Sequence, residues 1–250
     1  MKIKKILVSQ PKPSSDKSPY FDIAQKYNVE MVFRPFIKVE GLTSKEFRQA
    51  KISIPDFTAV IFTARTAIDH YFRLCEEMRI NIPDTMKYFC TSEAVAMYLQ
   101  KHIVFRKRKI FYGNGTPASV LEQIGTKHKG EKFLITTSDS SSNEALKGLF
   151  DAQKIDYSTA VFVKSVSQDL KGVDLSSYDM IVVYNPSDIK SLRENYPDFK
   201  PENTKFVTFG KQIVKAMEEA GLPIEIQAPT PEAPSVARAL DLYLENHKND

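Results

Sequence analysis

Short apolar runs alternate with amphipathic stretches along the whole chain. Strand-like runs fall at 3–9, 29–33, 57–63, 86–90, 109–112, 132–137, 155–163, 180–184, 205–209 and 223–227. Between them, apolar residues recur at helical spacing. Over 66–78, Ala67, Ile68, Tyr71, Phe72, Cys75 and Met78 share one face. Further helices are expected near 93–101, 117–124, 142–152, 187–195, 211–220 and 235–246. Ser18-Pro19 and Thr116-Pro117 each set a capping hydroxyl before a proline suited to a first helical turn. Strand–helix–strand alternation predicts an α/β protein with parallel sheets covered on both faces.

Sliding the chain on itself exposes a repeat. KILVSQPKPSS (5–15) resembles KFLITTSDSSS (132–142), AQKYNVE (24–30) resembles AQKIDYS (152–158), and VFRPFIKV (32–39) resembles VFVKSVSQ (161–168). The match continues between 56–72 and 178–194, 87–103 and 205–221, and 115–124 and 229–240. The order of elements agrees over nearly the whole length, so the chain reads as two related α/β halves, roughly 1–128 and 129–250.

Composition narrows the function. The chain has 250 residues, 42% apolar and 26% charged, with 9 glycines, no tryptophan and a net charge of +4. So small an excess of base does not indicate a nucleic-acid-coating protein. Cys75 and Cys90 sit in apolar contexts and read as core residues in a reducing compartment. The opening apolar run is too short for a signal peptide, and no stretch approaches a membrane span, so a cytoplasmic protein is expected.

Candidate chemistry lies where the predicted strands end. Those ends are Ser9-Gln10, Thr63-Ala64-Arg65, Thr91-Ser92, Gly113 to Thr116, Thr136-Thr137-Ser138, Asn185-Pro186-Ser187 and Gly210-Lys211-Gln212. Each precedes a helix start, where backbone N–H groups and the helix dipole favour carboxylate or phosphate. Any one hydroxyl is more simply a cap; seven in register, with Arg65 and Lys211 among them, point to an anionic ligand. Gly113-Asn-Gly-Thr-Pro-Ala118 matches a loose dinucleotide fingerprint but lacks the acidic residue about 20 positions on, and reads as a capped helix start. No phosphate-binding P-loop or nucleophile elbow occurs, and none of His70, His102, His128 and His247 has a metal-ligand spacing. The basic segment 101–109 reads as a solvated turn. No metal and no cofactor is expected.

The layout resembles the uroporphyrinogen-III synthases (HemD-like proteins) over essentially the whole chain. Val60-Ile-Phe-Thr-Ala is similar to that family's "FFTSP" strand end, and Met180–Ser187 to its partner "ITFFSPS". Residues 206–222 are similar to its "AxIGxxTAxALxxxGL" segment, with Gly210 in place, and Pro229-Thr-Pro-Glu to its "PT.E.L" tail. The resemblance implies two flavodoxin-like three-layer domains, one from 1–34 plus 168–250 and the other from 40–162. Linkers at 35–39 and 163–167 would pair as a two-stranded ladder. It implies a lyase that cyclises hydroxymethylbilane, a linear tetrapyrrole with eight carboxylates, in the inter-domain cleft. Ring D is inverted, water is lost, and neither metal nor cofactor takes part. The protein would act as a cytoplasmic monomer with no nucleic-acid or membrane partner.

The chain departs from the family at three places. The linker tyrosine of "VY.T" reads Val163, "GPTT" reads Gly210-Lys-Gln-Ile213, and "VGNAT" reads Cys90-Thr-Ser-Glu-Ala94. Tyr184 and Lys211 are therefore the expected catalytic residues, with Ser187 a further candidate acid. Ser9, Thr63, Ala64, Arg65, Ser92, Ser138, Asn185, Ser187, Gly210, Lys211 and Gln212 are the expected substrate contacts. A non-catalytic relative binding a tetrapyrrole or other polyanion is the alternative, favoured by the missing tyrosine and threonines. A two-lobed sugar or amino-acid binding protein also fits the architecture, but not the absence of an export signal.

Overall fold

The computed structural model describes residues 2–141 and 143–248. In chain order the elements are β1 (Lys5–Val8), α1 (Pro19–Tyr27), β2 (Glu30–Phe33), β3 (Ile37–Gly41), α2 (Ser44–Gln49), β4 (Ala59–Phe62), α3 (Arg65–Glu77) and β5 (Lys87–Cys90). There follow α4 (Glu93–Tyr98), β6 (Ile110–Tyr112), α5 (Pro117–Ile124), β7 (Phe133–Ser138), α6 (Glu144–Ala152) and β8 (Tyr157–Ser167). The chain ends with β9 (Met180–Val183), α7 (Pro186–Asn195), β10 (Lys205–Phe209), α8 (Gln212–Glu219), β11 (Ile224–Ala228) and α9 (Val236–Asn246).

Two sheets form, one in the order β11-β10-β9-β1-β2 and one in the order β3-β8-β7-β4-β5-β6. The ladders joining β2, β1, β9, β10 and β11 are parallel, as are those joining β8, β7, β4, β5 and β6. Read from β2 and from β8, the two orders are the same. The repeat pairs β1 with β7, β4 with β9 and β5 with β10, so one topology is built twice. By contacts, the chain divides into a unit of Met1–Lys38 with Val166–Asp250 and a unit of Val39–Ser165.

Each sheet is the middle layer of its unit, because successive side chains on a strand face opposite ways. In the 39–165 unit, Val60 and Phe62 of β4 pack with Ile68, Tyr71 and Leu74 of α3. Ala59 and Ile61 face the other way, onto Val120 and Leu121 of α5 and Leu146 and Phe150 of α6. In the other unit, Leu7, Ile181 and Val183 pack with Ile189 and Leu192 of α7 and with Ile213 and Met217 of α8. Ile6, Val8, Met180 and Val182 pack with Ile23 of α1 and with Val236 and Leu240 of α9. Burying each such side chain contributes about 1.5–3 kcal/mol. This two-sided burial leaves the strand carboxyl ends, with their polar loops, as the accessible polar edge.

Two local expectations are corrected, and one helix has no expectation at all. Ser18 stands at the cap position of α1, but its hydroxyl makes no cap hydrogen bond; the Phe21 N–H goes to the Ser18 carbonyl at 3.0 Å instead. The helix expected over 93–101 stops at Tyr98 and tightens into a 3₁₀ turn over Leu99–Lys101. α2 buries only Phe47 and so offers no apolar period; a capping box between Thr43 and Glu46 fixes its start. Ser142, the expected first residue of another helix, lies outside the described residues.

Candidate active site

The strand ends of the 39–165 unit surround a hollow of about 240 Å³, lined by Thr63, Ala64, Thr66, Thr137, Ser138 and Ser140 among others. Ala64 is the cap residue of α3. It is extended, at φ −149° and ψ 150°, and carries no oxygen to bond the first N–H groups of that helix. Asn143, at φ 55°, donates from its amide to the Thr136 carbonyl at 2.9 Å and closes the turn after β7. The Thr136 hydroxyl is spent on the Ile61 carbonyl at 2.8 Å. The Ser138 and Ser140 hydroxyls meet at 3.3 Å beside the hollow. Lys164 lines it too, paired with Glu46 at 2.7 Å. That lysine and the Thr43 cap hold the Glu46 carboxyl down at about 2. Arg65 opens α3, exposed, with its guanidinium over the Tyr98 ring at 5.5 Å.

The strand ends of the other unit are arranged differently. Asn185 caps α7 and accepts from the Asp188 N–H at 3.2 Å, while the Asp188 side chain returns the bond in a capping box. Asp188 is 1% exposed. Its Oδ2 accepts from the Ser9 hydroxyl at 2.9 Å, the Tyr184 N–H at 2.8 Å and the Asn185 N–H at 3.3 Å. Its Oδ1 is buried with no hydrogen-bond partner among the described residues. Burial pushes this carboxyl above the usual aspartate range, and the three donors only partly offset it. Tyr184, just past β9, meets Tyr20 hydroxyl to hydroxyl. Burial raises both phenols above their ordinary value, Tyr184 the more strongly. Ser187 is half-buried in the first turn of α7. Gly210, at φ 88°, turns the chain out of β10, and Lys211 and Gln212 follow, exposed, at the start of α8. Lys211 offers α8 no side-chain cap.

Six of the expected residues fall into two sets, while Arg65, Ser187, Gly210, Lys211 and Gln212 stand outside both. Thr63, Ala64 and Ser138 come together around one hollow; Ser9, Tyr184 and Asn185 come together through Asp188. Ser92 lies in neither, and accepts from the Val95 N–H at 3.4 Å as the cap of α4. The glycine-rich stretch is a helix start: Thr116 caps α5, and a Cβ on Gly113 would collide with the Ser119 side chain. Cys75 and Cys90 are buried and free, and burial pushes both thiols up to about 12. Reading the sequence missed Tyr20 and Asp188. For Asp188 a signal existed, an Asn-x-x-acid spacing at a helix start; for Tyr20 the only hint was its place after Pro19.

Another hollow of about 240 Å³ lies at the amino ends of β5 and β6, lined by Phe72, Ile82, Met86 and Tyr88 with Arg106 and Lys109. It lacks the hydroxyls of the strand carboxyl ends. Among the described residues, no group of three or more His, Cys, Asp or Glu is placed to hold a metal. Among them, too, no helix is long and apolar enough to cross a membrane.

Two sheets, each with five parallel strands in one order and with polar groups at their carboxyl ends, define a doubly wound α/β protein, a class whose ligands gather in the loops beyond those ends. The sequence profile described as uroporphyrinogen-III synthase HemD matches residues 20–238, and the chain belongs to that family. Its fold is similar to the uroporphyrinogen-III synthetase of Helicobacter pylori, at 16% identity and a TM-score of 0.56, covering 98% of this chain and 100% of that one. It is also similar to a mutant uroporphyrinogen III synthase of Thermus thermophilus, at 12% identity and a TM-score of 0.50, covering 98% and 97%. No curated protein matches.

Proposed function

We propose that the chain cyclises hydroxymethylbilane to uroporphyrinogen III, with ring D inverted and water lost, and that Tyr184 and Lys211 serve the departing hydroxyl. Family membership over residues 20–238 carries the reading of the reaction. The assignment of the acid rests on the phenol at the end of β9, since the family's linker tyrosine position is Val163 here.

The substrate carries eight carboxylates on a flexible chain. Fixing it costs entropy, and binding must supply that before any bond changes. The hydroxyls of Thr63 and Ser138, together with the uncapped N–H groups at the start of α3 beside Ala64 and Arg65, suit a carboxylate. Gly210, Lys211 and Gln212 offer a second anion-binding turn at the start of α8, and Ser187 a hydroxyl at the start of α7. The net charge of +4 assists the encounter with such an anion.

Chemistry then begins with the hydroxymethyl group. Its oxygen takes a proton and leaves as water while the pyrrole nitrogen feeds electrons to the methylene carbon. The azafulvene so formed is attacked by the substituted carbon of ring D. The resulting spiro intermediate fragments and recloses as the type III ring. The half-buried Tyr184 phenol is protonated at neutral pH and so has a proton to give in the first step, although burial weakens it as an acid.

Residues 35–39 and 163–167 are read as the segments linking two domains. The protein is read as a monomer of the cytoplasm with no nucleic-acid partner; two free, buried cysteines support a reducing compartment. The test supplies freshly made hydroxymethylbilane and resolves type I from type III product by chromatography. Type III product above the protein-free control is the expected result, and type I alone would refute the reading.

A further inference from the structure

Aromatic rings line the carboxyl end of the five-stranded sheet. Phe33 ends β2, Tyr20 lies in the first turn of α1, Tyr184 follows β9, and Phe209 ends β10. Tyr20 meets Phe33 edge-on with ring centroids 5.7 Å apart, and Tyr184 lies 6.2 Å from Phe209, which is 36% exposed. The two middle rings are joined only by their hydroxyls.

That joint is unlike the bonds of most other tyrosines in the chain. The hydroxyls of Tyr27, Tyr98, Tyr157 and Tyr243 meet carboxylates, and that of Tyr196 donates to backbone carbonyls. In those bonds the phenol proton has an acceptor that cannot return one. Tyr20 and Tyr184 have only each other among the described residues. Two neutral phenols carry two protons, and one hydrogen bond uses one of them. The second proton has no acceptor among the described residues, so it can be offered to a ligand.

Either phenol can donate in this bond; what distinguishes the two is how each is held. Tyr184 is fixed by its own backbone: its N–H is held by Asp188, which also ties down Ser9 and Asn185. Tyr20 comes from a different element, α1, and is seated against Phe33. We propose that Tyr20 is a positioning residue for Tyr184: its O–H donates to the Tyr184 oxygen, so that Tyr184 presents its own proton to the hydroxymethyl oxygen of the substrate. This rests on the reading of Tyr184 as the acid given above.

The step balances. The carbon–oxygen bond breaks with its electron pair on oxygen, which takes the Tyr184 proton and leaves as water. The Tyr184 phenolate left behind accepts the Tyr20 hydrogen bond. The pyrrole N–H, acidic in the cation just formed, then returns its proton to Tyr184. Tyr20 never transfers its proton; it strengthens its bond as charge appears, which is the condition for lowering a barrier.

The test measures kcat, KM and product isomer for Tyr20→Phe, Tyr184→Phe and the double variant, with thermal midpoints for each. Tyr20→Phe is expected to lower kcat about tenfold or more, the size of one hydrogen bond to a developing phenolate. KM and the thermal midpoint should stay near wild type, because only one oxygen is removed. On the Tyr184→Phe background the same change should do nothing further, since Tyr20 acts through Tyr184. Fluorotyrosine at position 20, a stronger donor of the same shape, should restore kcat to wild type or above; it also decides the matter if Tyr20→Phe does not fold. Unchanged kcat in Tyr20→Phe, or an equal further loss in the double variant, overturns the proposal while leaving Tyr184 as the acid. Full activity in Tyr184→Phe overturns both.

Discussion

The turn after β9 and the turn after β4 occupy equivalent places in the repeat, yet they end in opposite ways. After β9, Asn185 and Asp188 close the start of α7 with a reciprocal cap, and Asp188 draws Ser9 and Tyr184 into one buried cluster. After β4, Ala64 leaves the start of α3 without a side-chain cap, and the space beside it is a hollow edged with hydroxyls. A helix start that has satisfied its own N–H groups has little left for a ligand; one that has not can take a carboxylate. On the proposed reading, the open α3 turn is suited to hold a carboxylate, and the phenol pair at the β9 turn is suited to give a proton.

The sharpest way to break this division is Tyr184→Phe. Loss of the acid should lower kcat on the order of 100-fold with KM little changed, measured by isomer-resolved initial rates. If KM rises instead, the β9 turn is a binding site as well. Next in size is Asp188→Ala, which leaves the buried N–H groups of Tyr184 and Asn185 and the Ser9 hydroxyl without their acceptor. Denaturant unfolding should show a loss of about 2–4 kcal/mol.

A smaller effect tests the other turn. Ala64→Ser would give α3 the cap it lacks, and stability should rise by about 0.5–1 kcal/mol. The new hydroxyl would also occupy the N–H groups offered to substrate, so KM should rise a few-fold with kcat unchanged. A stabilised protein with wild-type KM would show that the open helix start is not used.

The smallest effect is on the pH dependence of stability, where the two units differ in sign. Asp188 sits above the usual aspartate range, so the folded state carries the cost of its charge as pH rises through that raised value. Asp188→Asn should remove that loss. Burial pushes Asp69 of α3 upward, but hydrogen bonds from His102, Lys101 and Tyr98 outweigh it and hold the carboxyl down at about 2. Its contribution is present above the ordinary aspartate range and is lost as pH falls towards 2. Asp69→Asn should flatten the acid side of the stability curve, and thermal midpoints across pH check both signs.

Much of this was legible in the sequence. Apolar period and turn residues placed β10 and α5 at their observed bounds, and the repeat anticipated that β4 and β9 hold matching positions. The element that was missed outright, α2, is short and buries a single side chain, so it leaves no period to read. Polar strand ends drew attention to Thr63, Ser138 and Tyr184 as candidates, but the contact between Tyr20 and Tyr184 spans 164 positions and obeys no local spacing. Hydroxyls also look alike in sequence whether they cap a helix, as Ser92 does, or edge a hollow, as Ser138 does.

The most direct measurement of the central claim is a side-by-side cyclisation of hydroxymethylbilane by the wild-type protein and by Tyr184→Phe, with types I and III separated. The account predicts mainly type III from the wild type. It predicts a product that drifts towards type I in the variant, as slow enzymatic closure loses to spontaneous closure. Equal rates and equal type III yields from the two proteins would contradict it.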